Sequence, residues 1–289
     1  ILAGQTCPAR DLSQAALVAE SEPSRLAQLE RAGCNVVAMG APPYDATSLR
    51  RFQILTRIVA PSAFDYAPFI APALDRTIPR LCLTLPEFPE RMQQFQQLNR
   101  WEFQMVPGLR VHPPWAGAAH SYARLATQLL DAGRSRAMIV QDDMLPGPDF
   151  DRRLEIAEDY FVRSGADMFA GLVTDFDESF VLRAVVQHEG MTFLHLNKSV
   201  GLVCNMFGAR ALRHLASWRK EMTGPGEAPY TIDRYMAAAP DFDVVTTLPF
   251  LVRHRSNARS TIWSFGNGRY ATLIDYSERQ LMKLAAAHR

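Results

Sequence analysis

The sequence holds few cysteines for its length and no local way to pair them. Cys7, Cys34, Cys82 and Cys204 are scattered, with no C-x-x-C among them. That spacing argues against a disulfide framework and a zinc site, and favours a reducing compartment. An excess of one charge is also missing. The 31 Lys and Arg face 30 Asp and Glu, for a formal net charge of +1. No global field therefore points to nucleic acid or an anionic membrane. No uncharged apolar run reaches the roughly 18 residues of a membrane helix. There is no P-loop, no glycine-rich phosphate motif, no internal repeat and no low-complexity tract. The chain starts at Ile1 rather than Met, and an excised piece of something longer is one reading of that start.

What is present is core-forming material. Of 289 residues, 48% are hydrophobic and 21% charged, enough for one large α/β domain or two smaller ones. Residues 1–78 read as an N-terminal α/β subdomain or the tail of a preceding module. Within them, 24–45 predicts a helix, a stop at Gly33 and a short strand at 35–39. From residue 79 strands and helices alternate more regularly. Strands are expected at 79–85, 103–109, 136–140, 167–172, 200–207 and 243–248, with a hairpin across 180–196. Helices are expected at 89–98, 118–133, 149–165 and 208–222, with a short one after Tyr230. The alternation predicts an α/β fold, a mixed and mostly parallel sheet flanked by helices, over residues 79–271. An amphipathic helix follows at 272–289. Docking on the core is its default reading, with oligomerisation or contact with a membrane surface as alternatives.

The chemistry concentrates in "AMIVQDDMLPGPDF" (137–150). An apolar strand ends in Asp142 and Asp143, and Pro146 and Pro148 then turn the chain. Ligands of parallel sheets bind at the carboxyl ends of strands. Two hard carboxylates at such an end suit Mg²⁺ or Mn²⁺, which would offset their mutual repulsion. These ions bind through one or two carboxylates plus substrate phosphates, which points to a nucleoside diphosphate. A solvated turn that caps the next helix is the plainer alternative. Farther on, "RHRSNARSTIWSFGNGRY" (253–270) carries Arg253, Arg255 and Arg259 around His254. Guanidinium forks suit phosphate oxygens, so this stretch reads as a lid over a diphosphate or as a solvated basic loop.

The ordered set of motifs resembles the GT-A glycosyltransferases, and more specifically glycosyltransferase family 25, the lipooligosaccharide-biosynthesis type. "LTLPEFPER" (83–91) is similar to that family's opening strand and loop, and "GAAHSYARL" (117–125) to its glycine-led helix. "VQDDMLPGPDF" (140–150) is similar to its acidic strand end, and "VCNMFGARALRHLA" (203–216) to its later strand and helix. "TIDRYM" (231–236) matches a helix-borne aspartate, and "LPFLVRHRSNARSTI" (248–262) the closing strand and polar segment. Three departures stand out. Gln141 replaces the family's first acidic residue, the Ser-His pair is reversed at His120–Ser121, and Cys204–Asn205 replaces a Thr-His.

The resemblance implies a GT-A-like, Rossmann-like fold and a metal-dependent, inverting transferase, cytoplasmic or peripheral at the inner membrane. It moves a sugar from a nucleoside diphosphate sugar, a UDP-sugar first among them, to a surface-glycan or glycolipid acceptor. It implies Asp143 and Asp142 as metal ligands for Mn²⁺ or Mg²⁺, with His254 as the distant ligand. Asp142 has a ribose contact as its alternative role. Asp233 is the implied base, although at the start of a short helix it also reads as a cap. Thr84, Leu85 and Arg91 would lie where the family binds the base of the nucleotide, with Ser121 near donor sugar or phosphate. Gln141 would hydrogen-bond a ribose hydroxyl. Arg253, Arg255 and Arg259 would face the diphosphate. Asp175 and Asp177 read as a turn, and His112, His188, His195 and His214 as structural, since none has metal-ligand spacing. Trp115 and Tyr122 read as core before acceptor stacking.

Two other classes use the same residues. A nucleotidyltransferase or phosphohydrolase would release pyrophosphate or phosphate without sugar transfer. A glycan-binding domain derived from a glycosyltransferase would bind glycan without turnover.

Overall fold

Apolar runs bounded by turn residues become the strands of one large sheet. The computed structural model describes residues 18–20, 23–31, 36–38, 54, 56–58, 61, 64–222, 230–255, 260 and 266–288. The chain divides into two compact units, residues 1–65 with 109–111, and residues 66–108 with 112–289. In the first unit, strands β1 (Val18–Glu20) and β2 (Val36–Ala38) pair in parallel. Helix α1 (Pro23–Arg31) lies between them in sequence.

The second unit begins with α2 (Ala67–Ile70), β3 (Arg80–Thr84), α3 (Pro89–Leu98) and β4 (Gln104–Pro107). Then come α4 (Pro114–Asp131), β5 (Arg136–Gln141), β6 (Met144–Pro146), α5 (Phe150–Ser164) and β7 (Met168–Ala170). The hairpin β8 (Leu182–His188) and β9 (Met191–Leu196) follows, then β10 (Cys204–Gly208) and α6 (Ala209–Ser217). The unit closes with α7 (Ile232–Ala237), β11 (Val244–Leu248), β12 (Val252–His254) and α8 (Gly268–Ala287).

Eight strands form a sheet in the order β4-β3-β5-β10-β7-β11-β9-β8. Pairing is parallel for β3 with β4 and β5, and for β7 with β11. It is antiparallel on both sides of β10 and of β9. Only β10 and β9 therefore run against the others, and the expected mixed, mostly parallel sheet flanked by helices is there. Its middle is dry. Ala137, Met138, Ile139 and Val140 of β5 are all 0% exposed, as are Met206 and Phe207 of β10. Each large apolar side chain so buried contributes about 1.5–3 kcal/mol, which fixes the register of β5 and so the place of the residues after it.

Helix α8 docks. Ile274, Ser277, Leu281 and Ala285 form its buried stripe, while Tyr276 and Met282 face outward. It begins at Gly268, four residues before the expected start at Thr272. Among the described residues no helix is long and apolar enough to cross a membrane.

Strands β6 and β12 leave the large sheet and pair with each other, Val252 opposite Pro146 and His254 opposite Met144. Two glycines here leave room for a close backbone oxygen, Gly171 just after β7 of the large sheet and Gly147 just after β6 of the ribbon. A Cβ on Gly171 would lie 2.8 Å from the Cys204 carbonyl oxygen, and one on Gly147 2.8 Å from that of Leu251. The Gly171 carbonyl in turn accepts from the amides of Leu251 (2.9 Å) and Val252 (3.2 Å). The end of β7 is thereby stitched to the start of β12.

Candidate functional site

The aspartates that end β5 are buried, Asp142 at 3% and Asp143 at 4% exposure. A solvated turn is thus not what they form. Their repulsion is offset by a cation between them. Arg91, from α3, pairs with Asp142 Oδ1 and lies 3.0 Å from Asp143 Oδ2. The second Asp142 oxygen accepts from the Thr84 hydroxyl at 2.7 Å. Both oxygens of Asp142 are thus engaged by protein. Burial, with the adjacent Asp143 charge, raises the Asp142 pKa against the pull of Arg91. Burial acts the same way on Asp143, but His254, Arg91 and the Asn267 amide outweigh it, and its pKa is lowered. Asp143 is therefore the more acidic member of the pair.

The ribbon brings the far end of the chain to this carboxylate. The Arg255 amide donates to the Asp143 carbonyl at 2.9 Å. The His254 imidazole places Nε2 3.5 Å from Asp143 Oδ2. From the residue before α8, the Asn267 side-chain amide donates to the same Oδ2 at 2.9 Å. Asn267 holds the N-cap position of α8, yet its side chain makes no capping bond to the helix. Sequence reasoning missed it. Its only signal was a helix-start asparagine turned to another use in "GNG" (266–268).

A cleft of about 420 Å³ opens beside Asp143, within the size range of small-ligand sites. Asp143, His254 and Asn267 line it together with Asp233, Arg234 and Arg269. Gln141, Asp175, Tyr270 and Trp115 also face it. Burial, then the Asp233 charge, raises the Asp175 pKa. Burial, with Asp233, Asp175 and Asp143 behind it, raises the Tyr270 phenol to about 12. The cleft is thus locally acidic on one side and carries two arginines as well. Asp175 occupies a left-handed turn, with φ of 48°. The expected turn is there, but nothing in the chain's local pattern hints that this side chain reaches the cleft.

The other expected residues fall in different places. Gln141 lines the cleft and reaches toward the Tyr122 hydroxyl at 3.4 Å. Asp233 sits in the first turn of α7, where Thr231, not Asp233, is the N-cap residue. Arg253 points away from Asp143, because alternate residues of a strand face opposite ways. Its guanidinium pairs with Glu278 of α8 and lies 4.0 Å from Asp275. Arg255 reaches Gln94. Neither arginine is among the residues lining this cleft. Arg259 lies outside the described residues. The Ser121 hydroxyl donates to the Gly117 carbonyl of its own helix at 2.7 Å. The Leu85 carbonyl accepts from the Phe88 amide at 2.8 Å. Thr84, Leu85, Arg91 and Ser121 are likewise not among the lining residues. Thr84 and Arg91 serve the site from behind, through Asp142. Tyr122 is core, its hydroxyl donating to the Leu202 carbonyl at 2.6 Å, whereas Trp115 faces the cleft.

A metal ion at this site is a question of ligand atoms. Asp143 Oδ1, Asn267 Oδ1 and His254 Nδ1 are buried and have no hydrogen-bond partner. Orphaned buried acceptors are costly, and one carboxylate, one amide oxygen and one imidazole suit Mn²⁺ or Mg²⁺ in kind. The residues present therefore fit such an ion. The trio Asp142, Asp143 and His254 does not converge. Among the described residues, the one group of three His, Cys, Asp or Glu ligand atoms within 4.8 Å of one another is Asp159, His188 and Glu189. Beside the adjacent Glu189, His188 thus has a carboxylate neighbour that chain spacing hid, since Asp159 lies on α5. There Arg163 already pairs with Asp159 at 2.8 Å.

No family model and no curated protein matches the sequence. Among solved structures, a UDP-glucose pyrophosphorylase complexed with UDP-glucose is 9% identical, with a TM-score of 0.37 over 71% of this chain and 81% of that one. A mannose-1-phosphate geranyltransferase from Thermus thermophilus is 12% identical, with a TM-score of 0.30 over 63% and 61%. A197 from STIV is 11% identical, with a TM-score of 0.33 over 58% and 84%. At this level of likeness, the chemistry of the cleft is read from its own side chains.

Proposed function

We propose that this chain is a metal-dependent glycosyltransferase that moves a sugar from a nucleoside diphosphate sugar to a saccharide or glycolipid hydroxyl. The observation that carries the reading is the company kept in one cleft. An ionised buried aspartate with unpartnered ligand atoms beside it shares that cleft with Asp233, Arg234 and Arg269.

Transfer requires that the sugar–phosphate bond break as the acceptor oxygen attacks the anomeric carbon. The electron pair leaves with the diphosphate, and the acceptor proton goes to a base. A divalent ion, when bound by Asp143 and His254, supplies positive charge to the leaving diphosphate. Arg234 and Arg269 hold phosphate oxygens by charge-assisted hydrogen bonds. Asp233 takes the acceptor proton. Asp175 faces the same cleft, its carboxyl pKa raised by burial and then by the Asp233 charge. Trp115 offers an aromatic face for a sugar ring. Asp142 does not touch substrate in this scheme. It orients Arg91, which in turn holds Asp143 in place.

The test is a product assay. The protein is incubated with a panel of nucleoside diphosphate sugars, Mn²⁺ and simple saccharide acceptors, and the released nucleotide is identified. Release of nucleoside diphosphate, lowered about 100-fold or more in Asp233→Asn, supports the proposal. Release of pyrophosphate, with the sugar still on its phosphate, would replace it with a nucleotidyltransferase.

A further inference from the structure

We infer that Asn267, not Asp142, completes the metal site, so that the ligand set is Asp143, His254 and Asn267. The inference rests on the metal-dependent reading above and names which of this chain's side chains hold the ion.

Three observations converge on it. Asp142 has no unpartnered oxygen, because Thr84 donates to one and Arg91 to the other. An ion at Asp142 would have to compete with the Thr84 hydroxyl and the Arg91 guanidinium. Asn267, by contrast, is 1% exposed and buries an oxygen with no partner. The orientation of its amide is not arbitrary. A carboxylate can only accept, so the amide nitrogen must face Asp143 Oδ2 and the oxygen must face elsewhere. Asp143 repeats the pattern. Its Oδ2 takes Asn267, Arg91 and His254, while Oδ1 is buried and unpartnered. All three residues line the same cleft.

Charge supports the same set. Asp142 is neutralised by Arg91, so the ion meets one carboxylate and two neutral ligands. A divalent ion held this way keeps net positive charge for substrate phosphates, the usual arrangement for Mg²⁺ and Mn²⁺. Chain topology then gives the site a consequence. One ligand follows the strand β5, one sits on β12 and one begins the last helix, so metal binding ties α8 to the sheet.

Mn²⁺ is titrated calorimetrically into the full chain as wild type, Asn267→Ala, Asn267→Asp and Asp142→Asn, with circular dichroism to confirm folding. Asn267→Ala is expected to weaken Mn²⁺ binding by at least about tenfold. Asn267→Asp adds a carboxylate next to Asp143, so it is expected to be less heat-stable without metal and to gain more in Tm from Mn²⁺ than wild type does. That variant carries the test if Asn267→Ala fails to fold. Asp142→Asn, which reaches the ion only through Arg91 and Asp143, is expected to lose clearly less Mn²⁺ affinity than Asn267→Ala. Wild-type affinity in Asn267→Ala, or a loss in Asp142→Asn as large as in Asn267→Ala, overturns the inference while leaving a metal site in place. No Mn²⁺ binding by the wild type overturns the metal-dependent reading itself, and this inference with it.

Discussion

Met144 and His254 are cross-strand partners in the ribbon of β6 and β12, and that register sets the His254 imidazole against the carboxylate of Asp143. Segments far apart in the chain are thus joined by a ladder of three residue pairs. The ribbon is fixed at its other end by Gly171, whose carbonyl accepts from Leu251 and Val252.

Replacing Gly171 by alanine tests how much depends on that anchor. The new Cβ would sit 2.8 Å from a backbone oxygen, where no flexible side chain can yield. Overpacking of this kind costs about 1–3 kcal/mol. Urea unfolding should show that loss, and Mn²⁺ binding should weaken as His254 shifts. An unchanged midpoint would mean that the backbone of Gly171 does not lie as close to Cys204 of β10 as this contact implies.

Arg91 should be the costliest single side chain of the site to remove. In Arg91→Met, two buried carboxylates lose the cation between them. Breaking a buried ion pair in this way costs about 3–5 kcal/mol. Arg91→Lys should fall between, since one ammonium replaces a fork that meets both aspartates. Denaturant midpoints for the three proteins should follow that order. Equal stability in wild type and Arg91→Met would show that something else neutralises the pair.

Asp175 gives a pH signature. Burial, then the Asp233 charge, raises its pKa in the fold above the unfolded value. A carboxyl raised in the folded state favours the fold while it is protonated. That contribution is full below the unfolded pKa and is lost as pH rises through the folded one. At neutral pH the ionised group therefore weighs against the fold. Asp175→Asn, which also tolerates the left-handed backbone, should melt above wild type at about pH 7 and level with it near about pH 3. A wild type that is the more stable at neutral pH would reverse the sign of the argument.

Much of the fold could be read from the chain. Val140 and its neighbours form an apolar run too short for a helix and too continuous for a half-exposed strand, and they became the dry middle of the sheet. Gly133 and Gly165 end α4 and α5 in left-handed turns, at φ of 74° and 68°, as stop signals predict. The antiparallel course of β10 was not legible, because burial on both faces erases the alternation that distinguishes the two directions. At the site, the acidic strand end and His254 were visible as residue types. The fates of Asp142 and Arg253 were not. Whether Asp142 faces a ligand or Arg91 depends on a helix 51 residues earlier in the chain. Which way Arg253 points depends on the register of β12. Asn267 was not singled out, because its use depends on a three-dimensional neighbour, Asp143.

The most direct measurement is calorimetric titration of nucleoside diphosphate sugars into wild type and Asp143→Asn, each with and without Mn²⁺. The proposal predicts binding of at least one donor that requires Mn²⁺ and weakens by more than about tenfold, about 1.4 kcal/mol, in Asp143→Asn. Binding of no donor under any condition, or binding indifferent to both Mn²⁺ and Asp143, would contradict it.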